Sequence, residues 1–108
     1  AGATSVTAIE FDAGSANTLV VRVDGPSTHK SFAMSGPERL VVDIAGATPG
    51  LGLQAPAPPA GSALVRGVRY SLFQAEPPVF RLVVDLAAAA AYRTETVEGA
   101  LRIVVRPR

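Results

Sequence analysis

The chain has no cysteine and no tryptophan among its 108 residues. Without thiols there is no disulfide framework and no thiolate metal site. An excess of one charge is missing too, because ten Lys and Arg side chains stand against nine Asp and Glu, for a formal net charge of +1. Such a balance gives no field that would steer the protein to nucleic acid or an anionic bilayer, so recognition is local and neither is an expected partner. Long apolar runs are also absent. The longest is short of the ~18 residues that a membrane span needs, and no charged segment followed by an apolar stretch opens the chain as a signal peptide would. The first residue is Ala1 rather than Met, as expected of a piece cut from a longer, exported protein.

Catalytic words are wanting as well. Ser35-Gly36 and Ser62 lack a Gly-x-Ser-x-Gly context, no His-Glu-x-x-His or carboxylate cluster occurs, and no glycine-rich loop leads from strand to helix. Asp43 and Glu38 would fall on opposite faces of a strand and so cannot act as a pair. His29 is the single histidine and lies in a polar turn region without partners clustered around it, so it is expected to be exposed and passive. The expectation is a protein that is not an enzyme and carries no metal or cofactor.

What is present is strand chemistry. The chain is 48% hydrophobic with ten glycines and nine prolines, a composition that fits one turn-rich globular domain over residues 1–108. Val, Leu, Ile and Phe alternate with polar residues in eight runs bounded by Gly, Pro, Asn or Asp. Four fall in a first half, about residues 5–44: Ser5 to Asp12, Thr18 to Asp24, His29 to Met34 and Glu38 to Ile44. Gly14, Gly25-Pro26 and Gly36-Pro37 punctuate them. Four fall in a second half, about 64–106: Leu64 to Gln74, Val79 to Leu86, Tyr92 to Val97 and Ala100 to Val105, with Pro77-Pro78 and Glu98-Gly99 between them. Residues 45–63 join the halves, and their Pro-rich core, Gln54 to Gly61, lacks the donors of a ladder. This segment is expected to cross between sheets as a connection rather than a strand. A polyproline ligand is the other reading of it, without flanking basic or aromatic anchors. Ala87 to Ala91 is too short for a stable helix and predicts a bulge or single turn.

The halves resemble each other. A shift of 63 residues lays Leu19-Val20-Val21-Arg22-Val23 on Leu82-Val83-Val84-Asp85-Leu86, and Arg39-Leu40-Val41-Val42 on Arg102-Ile103-Val104-Val105. One four-stranded unit used twice explains the shared offset. Stacking the copies face to face buries the apolar side of each, so the expected fold is all-β, a sandwich of two related four-stranded sheets arising by internal duplication. Alternation turns Leu19, Val21, Val23, Leu40, Val42, Ile44, Leu82, Val84, Leu86, Leu101, Ile103 and Val105 inward. Arg22, Arg39, Asp43, Arg81, Asp85, Arg102 and Arg106 turn outward.

The words Pro37-Glu38-Arg39-Leu40-Val41-Val42-Asp43-Ile44 and Val79-Phe80-Arg81-Leu82-Val83-Val84-Asp85-Leu86, with Val65-Arg66-Gly67-Val68-Arg69-Tyr70 before the second, resemble the AMIN domain in order and spacing from about Val6 to Val105. The resemblance implies a sandwich of two related sheets in the periplasm of a Gram-negative envelope. It also implies a non-catalytic module that targets a larger exported protein to peptidoglycan. Such domains precede N-acetylmuramoyl-L-alanine amidases and the secretins of type IV pili, and Met34 to Asp43 looks closer to the secretin versions. The implied partners are peptidoglycan, the rest of the parent protein, and other pilus or secretin components.

On a strand, Arg39 and Asp43 share a face about 13 Å apart at ~3.3 Å per residue, and Arg81 and Asp85 repeat the arrangement. Arg forks suit the peptide carboxylates of the wall and Asp suits its donors. Arg39, Asp43, Arg81, Asp85 and Arg69 are therefore the candidate peptidoglycan contacts. The same charges could instead pair across neighbouring strands and fix register. Arg69, Tyr70 and Phe73 could form a cationic and aromatic patch for sugars, or the strand could bury its aromatics. Two functions of other classes stand beside wall targeting: docking of envelope proteins by strand addition to a sheet edge, and a bare immunoglobulin-like adhesive sandwich, which lacks the Cys and Trp hallmarks.

Overall fold

The structure is a computed structural model that describes residues 4–25, 27–97 and 99–107; Pro26 and Glu98, two of the expected turn residues, lie outside them. Alternating aliphatic residues form the strands β1 (Thr4–Asp12), β2 (Ser15–Val23), β3 (Thr28–Met34), β4 (Arg39–Ala45), β5 (Ala47–Pro49), β6 (Val65–Ala75), β7 (Pro78–Leu86), β8 (Ala90–Val97) and β9 (Ala100–Pro107). The described residues contain no helix, and Ala87 and Ala88 form a bend before β8. The fold is an all-β sandwich of a five-stranded sheet, ordered β5-β1-β2-β9-β8, and a four-stranded sheet, ordered β3-β4-β7-β6.

Two expectations need correction. The halves do not each build one sheet. Each contributes one hairpin to either sheet, so β2 pairs with β9 and β4 with β7, antiparallel in both cases. Reading β1-β2-β9-β8 against β6-β7-β4-β3, the 63-residue shift carries one sheet order onto the other. The physical reason is that every central strand has nearly the same Leu-Val-Val alternation, so the pattern fixes which face is buried but not which strand is the neighbour. The second correction concerns residues 45–63. This segment opens with β5, which pairs in parallel with β1 through Thr4, Ser5 and Val6 and makes that sheet five-stranded. At Gly50 the chain runs so close to β1 that an added Cβ would lie 2.7 Å from the Val6 carbonyl oxygen. Side chains fix the rest. The Tyr70 hydroxyl donates to the Leu53 carbonyl at 2.6 Å, the Ser62 hydroxyl donates to Asn17 Oδ1 at 2.8 Å, and the Leu64 amide donates to the same oxygen.

Between the sheets the core contains Val6, Ile9, Leu19, Val21, Leu40, Val42, Ile44, Phe80, Leu82, Val84, Leu86, Leu101, Ile103 and Val105, with Val23 packed against it. Every residue that alternation turns inward is there. Phe80 is the largest wholly buried side chain, and its ring stacks on Tyr70 at 5.4 Å between centroids. Tyr70 therefore belongs to the interior, as a strand burying its aromatics would have it.

Candidate functional site

Because β4 and β7 are neighbours, Arg39, Asp43, Arg81 and Asp85 lie on one surface, not on two opposite ones. Strand register arranges the outer side of the four-stranded sheet in rows across β3, β4, β7 and β6. Met34, Arg39, Asp85 and Gly67 make one row, and Phe32, Val41, Val83 and Arg69 the next. Lys30, Asp43, Arg81 and Ser71 follow.

Within these rows the charges are treated differently. Arg81 lies directly opposite Asp43 and forks onto it, Nε to Oδ1 at 2.8 Å and Nη2 to Oδ2 at 2.9 Å. Asp43 is only 5% exposed although it points away from the core, because the guanidinium covers it. Hydrogen bonding to Asp43 raises the Arg81 pKa above its ordinary value, with burial acting against it. Arg69 reaches diagonally to Asp85 with two bonds of 3.2 Å, over Gly67, which has no side chain in the way. Four of the five candidate residues thus form two cross-strand pairs.

Arg39 is the exception. It stands across from Asp85 in the register, but Asp85 is engaged by Arg69. No ion pair to Arg39 exists among the described residues; its Nε, like that of Arg102 on the other sheet, is buried without a hydrogen-bond partner, but Arg102 has Asp12 to pair with. A covered donor without an acceptor calls for a water or a ligand group. Lys30 is likewise outside the ion pairs. Four cations thus share this surface with two carboxylates.

Apolar side chains complete it. Phe32, Met34 and Phe73 are 38%, 42% and 55% exposed. Alternation from Arg69 and Ser71 turns Phe73 to the same side, and the register slip between Leu72 and Gln74 leaves it without a partner on β7. Phe73 is brought over the Arg81 guanidinium, 3.6 Å from the ring centroid, while Phe32 approaches from β3 at 5.8 Å. Sequence reasoning missed Phe32, Met34 and Lys30. Alternation along Lys30-Ser31-Phe32-Ala33-Met34 puts the three on one face, but only the pairing of β3 with β4 tells which face that is. The expected patch of Arg69, Tyr70 and Phe73 is split, with Tyr70 inside and the other two outside.

The outer side of the five-stranded sheet differs. Arg22 pairs with Glu10, Arg93 with Glu95 and Arg102 with Asp12, leaving Arg106 of its arginines outside these pairs, near the end of β9. His29 is not in a turn but on β3, half-buried, with Nε2 at 3.3 Å from Thr94 Oγ1 in the opposite sheet. Among the described residues no group of three or more His, Asp or Glu side chains could hold a metal ion. The described residues contain no helix long and apolar enough to cross a membrane.

The family model for the AMIN domain matches residues 8–107. No curated protein matches the chain.

Proposed function

The chain belongs to the AMIN family, whose members are periplasmic, non-catalytic modules that target secretins and amidases to peptidoglycan, and on that premise we propose that it binds the wall through the outer side of its four-stranded sheet. The observation that carries this choice of surface is the uncompensated Arg39, with Lys30 on the same side and the exposed Phe32, Met34 and Phe73 around them. Peptidoglycan presents carboxylates on its peptides, hydroxyl groups, and flat apolar sugar faces, and this surface offers a partner to each. Asp43, Arg81, Arg69 and Asp85 serve in this reading chiefly to hold the surface flat and in register. Single contacts are weak, and repetition of the module or of the parent along a polymer adds avidity.

The parent is proposed to be a type IV pilus secretin, on the likeness of Met34 to Asp43 to the secretin versions. Assembly of the full protein into an outer-membrane ring would support that, and peptidoglycan-hydrolysing activity of the full protein would place it with the amidases instead. The domain would then work in the Gram-negative periplasm as part of an exported protein.

Co-sedimentation with purified sacculi tests the wall reading. The wild-type domain is expected to pellet with sacculi, less so as salt rises, because free cations contribute. Arg39→Ala is expected to weaken pelleting several-fold without change in melting temperature. A wild-type domain indifferent to sacculi would leave strand addition to envelope proteins as the better function.

A further inference from the structure

Phe73, Arg81 and Phe32 are more than three neighbours on a sheet. Arg81 is held from below by both oxygens of Asp43 and contacts one face of the Phe73 ring, so neither side chain is free to turn without breaking the other's contacts. With one ring face against the guanidinium, a residue still 55% exposed turns its other face to solvent. Phe32 leans toward the same guanidinium, so two exposed rings flank one fixed planar cation. Burying rings pays in the core, and this domain does so with Phe80 and Tyr70. Phe32 and Phe73 are instead displayed, Phe73 in line with Arg69 and Ser71 on the outer side of β6, at a point where the register slips and leaves it without a partner on β7.

Flat, rigid and only partly desolvated, such rings suit the apolar faces of pyranose sugars, where axial C–H groups meet a π surface with little ordering cost. Resting on the wall-binding reading, we propose that the layer Phe73, Arg81 and Phe32 is a stacking platform for the glycan strand of peptidoglycan, neighbouring sugars of one strand lying on the two rings. The unpaired cations beside it, Arg39 one row beyond Phe32 and Lys30 next to Asp43, match the peptide carboxylates of the intact wall, and on stripped strands the lactyl carboxylate that removal of the peptide frees on every second sugar. A protein partner would equally value apolar side chains, but it would not discriminate between a flat ring and a branched aliphatic side chain of similar bulk.

The test uses the whole domain, intact sacculi, and glycan strands stripped of their peptides. Wild type is expected to bind both. Phe32→Ala/Phe73→Ala is expected to lose about tenfold or more on the stripped strands, at a melting temperature within a few degrees of wild type. Phe73→Trp should retain binding, and Phe73→Leu, which keeps the cover on Arg81 but not the flat ring, should not. Unchanged binding of the double variant to either material would overturn the platform and leave the wall reading standing, as would wild-type binding to sacculi but not to stripped strands. A wild-type domain that binds neither would overturn both.

Discussion

Arg81 shows how a residue that looks like a ligand contact can be a structural one. Its guanidinium neutralises a carboxylate that water scarcely reaches, and removal of one partner of a buried pair leaves the other charge uncompensated. Arg81→Ala is expected to cost about 2–4 kcal/mol and to lower the melting temperature by roughly 10–20 °C. Arg81→Lys should recover only part, for want of the fork. Arg69 and Asp85 have the same geometry, but their side chains are 60% and 34% exposed, so Arg69→Ala should cost less than about 1 kcal/mol. Thermal melts by circular dichroism distinguish the two. The pH dependence follows from the sign of the shift. A basic group whose pKa is raised on folding adds stability that is whole below its unfolded value and fades only as pH climbs through the folded one. For Arg81 that window is strong alkali, so no inflection due to it is expected between about pH 6 and 9. Loss of wall binding in an Arg81 variant would thus be ambiguous, whereas Arg39, outside the ion pairs, is the cleaner probe.

At the scale of elements, the segment between β4 and β6 is where folding physics departs from composition. Its prolines exclude a long strand, yet Ala47–Pro49 adds to the sheet edge and Leu53 is tied to Tyr70. Tyr70→Phe removes only that bond and should cost about 1 kcal/mol. Limited proteolysis is expected to show faster cutting at 54–60 in the variant, with the nine-strand body still resistant. Equal rates in both proteins would mean that the bond does not hold the segment. The eight long strands were legible because period-2 alternation with Gly and Pro punctuation is local. β5 was not, since three residues containing a proline carry no periodic signal. The bulge at Phe73 was equally silent, because Leu72-Phe73-Gln74 reads the same whether or not the register slips.

For the whole molecule, the exchange of hairpins between the halves decides what the surface can do. Had each half closed on itself, the two Arg-Leu-Val-Val-Asp words would stand on opposite sides of the sandwich. Because β4 and β7 are neighbours, they share one surface, and the other surface is left with Arg22, Arg93 and Arg102 each beside an acid. Core and outward faces could be read from Leu40, Val42, Leu82 and Val84 alone. The grouping of the candidate residues could not, since strand partnership is a long-range choice that near-identical strands leave open. The two sides therefore make opposite forecasts for ligand contact. The decisive experiment is to titrate the isotope-labelled domain with soluble glycan fragments of peptidoglycan and follow backbone amide and side-chain resonances by NMR. Shifts concentrated at Phe32, Met34, Arg39, Phe73 and Arg81, with β1, β2, β8 and β9 unmoved, are the expected result. Shifts confined to the five-stranded sheet, or to the sheet edges, would contradict the assignment of wall binding to this surface.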